Sequence, residues 1–118
     1  MNTARQLTAE TSRIPALVKQ TVLAIAPDAE VYLYGSRARG DFEADSDWDF
    51  LVLCGEGNKA EVKEAISAAM YTLESELCDA LGHWPCFSTV VRTPEYWSRK
   101  IVQATPFHRE VTKDGVRI

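Results

Sequence analysis

The chain has 118 residues, 46% of them apolar and 25% charged, with a formal net charge of -4. That length suits one domain spanning residues 1–118, large enough to bury a core without disulfide staples, and the acidic balance disfavours general affinity for long nucleic acid. The three cysteines, Cys54, Cys78 and Cys86, are odd in number and form no C-x-x-C pair, which argues against a disulfide framework. No apolar run approaches the ~20 residues of a membrane span. The opening MNTARQLTAETSR lacks the apolar stretch of a secretion signal, so the expected location is the cytoplasm, with no membrane partner.

Apolar residues at helical spacing (Ile14, Leu17, Val18, Val22, Ile25) predict a helix over 7–25, with Thr8 or Ser12 as cap. Pro15 should lie in its first turn or at a kink, because deeper inside it removes a backbone bond. After a break at Pro27, the β-branched and aromatic run 30–34 predicts a strand. Residues 35–40 read as a turn and 41–46 as a polar loop. A second strand over 48–53 should pair with the first. Its alternation puts Trp48, Phe50 and Val52 on one face and Asp47, Asp49, Leu51 and Leu53 on the other.

Asn58 is placed to cap a long helix that ends at Gly82, with Val62, Ile66, Met70, Leu73 and Leu77 on one face. A third strand follows over 86–91. Pro94 suits the first turn of a helix starting near Thr93, and a last helix covers 106–113. The order predicts an α/β (α+β) fold: a small mixed β-sheet of three or more strands, flanked by helices.

The chemistry concentrates between the first two strands. Asp47 and Asp49 stand two apart at the start of a strand, so they face the same side. Two anions held side by side repel each other, and a divalent cation relieves that repulsion. Magnesium prefers one or two carboxylates completed by phosphate oxygens and water. In the turn, Gly35 lets the backbone approach a phosphate, Ser36 offers a hydroxyl, and Arg37 and Arg39 offer guanidinium forks. Exposed amides in such a turn make an anion-binding concavity.

Gly-Ser, a short basic stretch, Gly, a loop, then Ser-Asp-x-Asp and an apolar strand, together covering 35–52, strongly resemble the signature of the polymerase-β-like nucleotidyltransferases, most closely their minimal single-domain members. The resemblance implies that Gly35 and Ser36 hold the triphosphate of a nucleotide, ATP being expected, and that Asp47 and Asp49 hold Mg2+. Arg37, Arg39 and Ser46 join the nucleotide-binding set. It implies transfer of a nucleoside monophosphate to a hydroxyl on a protein or small molecule. A HEPN-type toxin is the implied partner, in a toxin–antitoxin pair, or a homodimer supplies the acceptor pocket. Active members usually carry a third carboxylate on a later strand. The matching strand here, 86–91, has no acid, and Ser88 is its nearest polar residue; Glu74, Glu76 and Asp79 would have to reach in from the preceding helix. An alternative reading is therefore a binding module of the same fold that docks on a partner without turnover.

Other readings of the same residues are weaker. Gly35 and Gly40 match P-loop spacing, but Asp41 and Phe42 stand where that motif needs Lys and Ser or Thr. Asp45, Asp47 and Asp49 are spaced like a calcium loop, but Phe50 replaces its glycine and an apolar strand follows. Cys78, His83 and Cys86 offer three zinc ligands without a fourth. His108 reads as a surface helix residue, and the basic tail from Arg92 as a solvated face.

Overall fold

The computed structural model describes residues 9–118, with side chains from Arg13 onward. Strand β1 (Glu30–Tyr34) and strand β2 (Trp48–Leu53) pair antiparallel, in the register Val31↔Val52 and Tyr34↔Asp49. Both are apolar on each face, so both faces of the sheet must be covered. Helix α1 (Ala9–Ile25) and helix α3 (Ala60–Leu81) cover one. There Trp48, Phe50 and Val52 join Val18, Val22, Ile66 and Met70 in the larger core. The other face carries Leu51, Leu53, Tyr32 and Tyr34, packed with Trp97, Val102 and Val111 from three short C-terminal helices. These are α4 (Pro94–Trp97), α5 (Lys100–Gln103) and α6 (Pro106–Asp114).

Helix α3 is also the crossover that makes the next strand parallel, since a tight turn cannot return the chain in the same direction. Strand β3 (Phe87–Arg92) lies parallel to β2, with Asp49 in register with Ser88. A two-residue strand β4 (Val116–Arg117) closes the far edge against β1, giving the order β3-β2-β1-β4. Gly115 makes the sharp exit from α6 into β4 possible: a Cβ there would collide with the Val111 carbonyl oxygen.

The structure departs from the sequence expectations in several places. A start at Leu7 and a cap at Thr8 lie outside the described residues, while Ser12 falls within α1 and is not its cap. Pro15 sits in the second turn of α1, not the first; it is almost wholly buried, so packing offsets the missing backbone bond. The turn after β1 winds into a short helix, α2 (Ser36–Arg39). Lys59, not Asn58, is the N-cap of α3, and no side chain caps it, because residues 54–59 form consecutive turns with Gly57 N–H donating to Cys54 and Lys59 N–H to Glu56. Pro94 lies in the first turn of α4 as expected, and Thr93 caps that helix, its hydroxyl accepting from Tyr96 N–H at 3.1 Å. Helix α5 and strand β4 are too short to leave a periodic signal in the sequence.

Phe50 is fully buried at the centre of the sheet, with its ring edge-on to Phe87 at 5.7 Å between centroids. Phe50→Ala is expected to lower stability by about 3–5 kcal/mol, read from the shift of a urea unfolding midpoint. Loss of less than half that amount would show that the two sheet faces do not share one cooperative core.

Candidate active site

The antiparallel register sets Tyr34 beside Asp49, so the chain leaving β1 turns directly against the first acids of β2. Gly35 makes that turn with φ 75°, a left-handed conformation that other residues adopt only under strain. A Cβ on it would collide with Asp49 Oδ2. The Gly35 carbonyl accepts from Ala38 N–H and Arg39 N–H at 3.1 and 3.0 Å, which starts α2 at Ser36. Amides at the first positions of a helix lack partners within it.

Asp47 is exposed and Asp49 half-buried. Asp49 alternates with Phe50 and shares the side of Leu51 and Leu53, which is the sheet face that carries α6. Burial pushes the Asp49 carboxyl above the usual range. The charges of Asp47 and then Glu110 push it the same way, and Arg39 opposes them. The same surroundings act on Tyr34, whose hydroxyl is pushed up to about 12 by burial and by the charges of Asp49 and Glu110, so it stays protonated. This pair of repelling carboxylates, one of them open to solvent, suits a hard divalent cation whose remaining positions are filled by phosphate oxygens. Among the described residues no group of three His, Cys, Asp or Glu side chains is arranged to hold a metal.

Of the expected site residues, the structure sets Gly35 against Asp49, with Asp47 and Arg39 near enough for their charges to act on that carboxyl, and Ser36 follows Gly35 as the first residue of α2. It turns Arg37 and Ser46 to the loop 41–47. The Arg37 guanidinium lies over the rings of Phe42 and Trp48, at 4.4 and 4.5 Å. It donates to the Ser46 carbonyl from Nε and Nη2, at 3.3 and 3.1 Å, and to the Ala44 carbonyl at 3.2 Å. Ser46 Oγ accepts from Glu43 N–H at 2.8 Å. These two residues fix the loop that delivers Asp47.

Two acids absent from the sequence reading stand close by. Glu110 and Asp114 on α6 approach Arg39 Nη1, at 3.9 and 3.6 Å, while Asp41 meets its Nε at 3.2 Å. They share the stripe of α6 that carries Phe107 and Val111 at helical spacing, which is the one signal that could have found them. The acids of α3 do not reach the site. That helix covers the opposite sheet face, and Glu74 Oε2 is tied to Trp84 Nε1 and Phe87 N–H, at 3.2 and 3.0 Å. Ser88 is the exposed side chain in register with Asp49. His108 stacks on Trp97 with centroids 4.3 Å apart and contacts Thr112 Oγ1, a packing role within α6.

Comparison with known proteins bears on this arrangement. The family described as the nucleotidyltransferase domain matches residues 16–113. No curated protein sequence matches significantly. Two solved structures resemble the chain, each with a TM-score of 0.50 and each covering 91% of this chain and 70% of the other. One is a toxin–antitoxin crystal structure with AMP-PNP, at 21% identity. The other, at 19%, is a mutant of the toxin–antitoxin MntA–HpeT in which two aspartates two positions apart are replaced by glutamate. The matched span takes in the Gly-Ser turn, both aspartates and all but the last element of the sheet, and the chain belongs to the nucleotidyltransferase domain family.

Proposed function

We propose that this protein transfers a nucleoside monophosphate from a nucleoside triphosphate, with ATP the expected donor, to a hydroxyl group. The observation that carries this reading is the Gly35 backbone pressed against Asp49, with the charge of Asp47 near enough to push that carboxyl up. A phosphate at the turn and a cation at the acids would then be neighbours. Mg2+ held by Asp47 and Asp49 would neutralise the triphosphate and the charge that develops as pyrophosphate leaves. The chain's own groups do the rest. The amides and the Ser36 hydroxyl bind phosphate oxygens. Arg39 lies at the side of the site, oriented by Asp41, Glu110 and Asp114. Arg37 and Ser46 position the loop and so fix where Asp47 stands.

The acceptor hydroxyl belongs to a protein side chain or a small molecule. The toxin–antitoxin neighbours, one of them with AMP-PNP, support a nucleotide-using chain that works beside a protein partner, for which a HEPN-type toxin is the candidate. A second reading is favoured by one observation: Ser88, not an acid, occupies the place in register with Asp49. A serine is no base near neutral pH, and on this reading the chain is a nucleotide-binding docking module that does not turn over.

Incubation with Mg2+ and α-labelled ATP, with and without cell extract, separates the two. Label on an acceptor, reduced at least ~100-fold in Asp47→Ala, supports the transferase. Nucleotide bound without transfer in every extract supports the module. Gly35→Ala should give a folded chain that has lost nucleotide affinity, since its Cβ displaces the carboxylate and strains the turn by about 1–3 kcal/mol. Unchanged affinity in an isothermal titration would remove the turn from the site.

The raised Asp49 carboxyl yields a stability test. A carboxyl whose folded pKa lies above its unfolded value favours the folded state at low pH, and that contribution is lost as pH rises through the folded pKa. Without metal, Asp49→Asn should therefore melt at a higher temperature than the wild type at neutral pH, and the advantage should vanish below the carboxylate range. Equal melting temperatures at both pH values would mean that the acid carries no unrelieved repulsion.

A further inference from the structure

Strand β3 is an outer strand, bonded to β2 on one side and to no strand on the other among the described residues. Two hydrogen bonds show which of its backbone groups face outward. Trp48 N–H donates to the Cys86 carbonyl at 2.8 Å, and Cys54 N–H to the Arg92 carbonyl at 3.1 Å. Backbone groups alternate sides along a strand. Residues 86, 88, 90 and 92 therefore face β2, and Phe87, Thr89 and Val91 face the open edge. Side chains of the same chain already occupy the two ends of that edge. Glu74 Oε2 accepts from Phe87 N–H at 3.0 Å, and Arg92 Nη1 donates to the Val91 carbonyl at 2.8 Å. Between these caps lie the Phe87 carbonyl, both backbone groups of Thr89 and the Val91 N–H.

A second copy of the same strand, running antiparallel about a twofold axis at Thr89, complements this edge group for group. The two Thr89 residues exchange N–H and carbonyl bonds. The Val91 N–H of each copy meets the Phe87 carbonyl of the other. The capped groups then lie opposite one another as well, which sets Glu74 of one copy beside Arg92 of the second, twice over. Charge complementarity is thus built into the ends of the edge. At its centre, Thr89 Oγ1 is buried and has no hydrogen-bond partner among the described residues. On the axis it would face its own counterpart, a favourable cross-strand pair. A cavity of about 530 Å³ runs along this edge, bounded by Lys63, Met70 and Tyr71 of α3, and Tyr71 is 64% exposed.

We propose that two copies of this chain associate through β3, joining their sheets into one continuous sheet with Thr89 on the symmetry axis. Exposed edges promote unwanted pairing unless they are guarded; here the guards at the two ends are of opposite sign, so they repel a parallel or shifted strand and accept the antiparallel copy.

Sedimentation equilibrium of the full chain, from ~1 to ~100 µM, tests this. The expected species is a dimer. Arg92→Glu sets like charges opposite Glu74 and should weaken the dimer at least ~10-fold. The double change Glu74→Arg with Arg92→Glu restores opposite charges and should restore the dimer. Thr89→Pro removes the N–H on the axis without removing a bond to β2, and should give a monomer whose circular dichroism matches the wild type. Should that variant not fold, the charge reversal and its rescue decide alone. A wild type that stays monomeric across the range overturns the proposal and leaves the edge for a strand of another protein. A dimer indifferent to Arg92→Glu overturns it too, by placing the contact elsewhere.

Discussion

The arrangement of the site depends on how closely the end of β1 approaches the start of β2. Antiparallel pairing sets Tyr34 opposite Asp49, and the missing side chain of Gly35 lets the turn close on the carboxylate. That register is not free to slip. A shift of one residue would turn Trp48, Phe50 and Val52 out of the larger core and expose them on the other face. The hydrophobic alternation that builds the core therefore also fixes how closely the Gly35 turn approaches Asp49. The core and the place of Asp49 are specified by the same six residues of β2.

The site is held in a state of electrostatic tension. Burial and then the charges of Asp47 and Glu110 push the Asp49 carboxyl up, with Arg39 as the nearby counter-charge. Nothing in the hydrophobic core requires acids there. Clustered, unrelieved charge of this kind is a mark of a functional position rather than of stability. The loop before β2 has the opposite character. Phe42, Trp48 and two backbone carbonyls hold Arg37, and with it the loop that leads to Asp47.

Much of this was legible in the amino-acid order. The paired strands, the turn at Gly35 and the long helix before the third strand follow from periodicity and from glycine at meaningful spacings. Residues whose roles depend on the path of distant chain were not legible. Arg37 and Arg39 are two apart and chemically alike, yet one folds into the loop and the other lies beside the acids. Only the ring of Trp48 and the arrival of α6 decide which does which. Glu110 and Asp114 belong to a tail that reads as basic; the helical spacing of Phe107 and Val111 marks their stripe, but not that it meets Arg39. Helix α5 and strand β4 are shorter than any period can reveal.

The position of Arg39 has a consequence for regulation. One guanidinium touches the loop through Asp41 and the C-terminal helix through Glu110 and Asp114. An anion that drew Arg39 toward itself would leave the acids of α6 less well compensated, and α6 would sit less firmly on the sheet. Thermodynamic linkage makes such an effect reciprocal. A protein that grasps α6 from outside would thereby change how Arg39 is held, without touching either aspartate. The C-terminal helix thus bears on the surroundings of Asp49 from a distance.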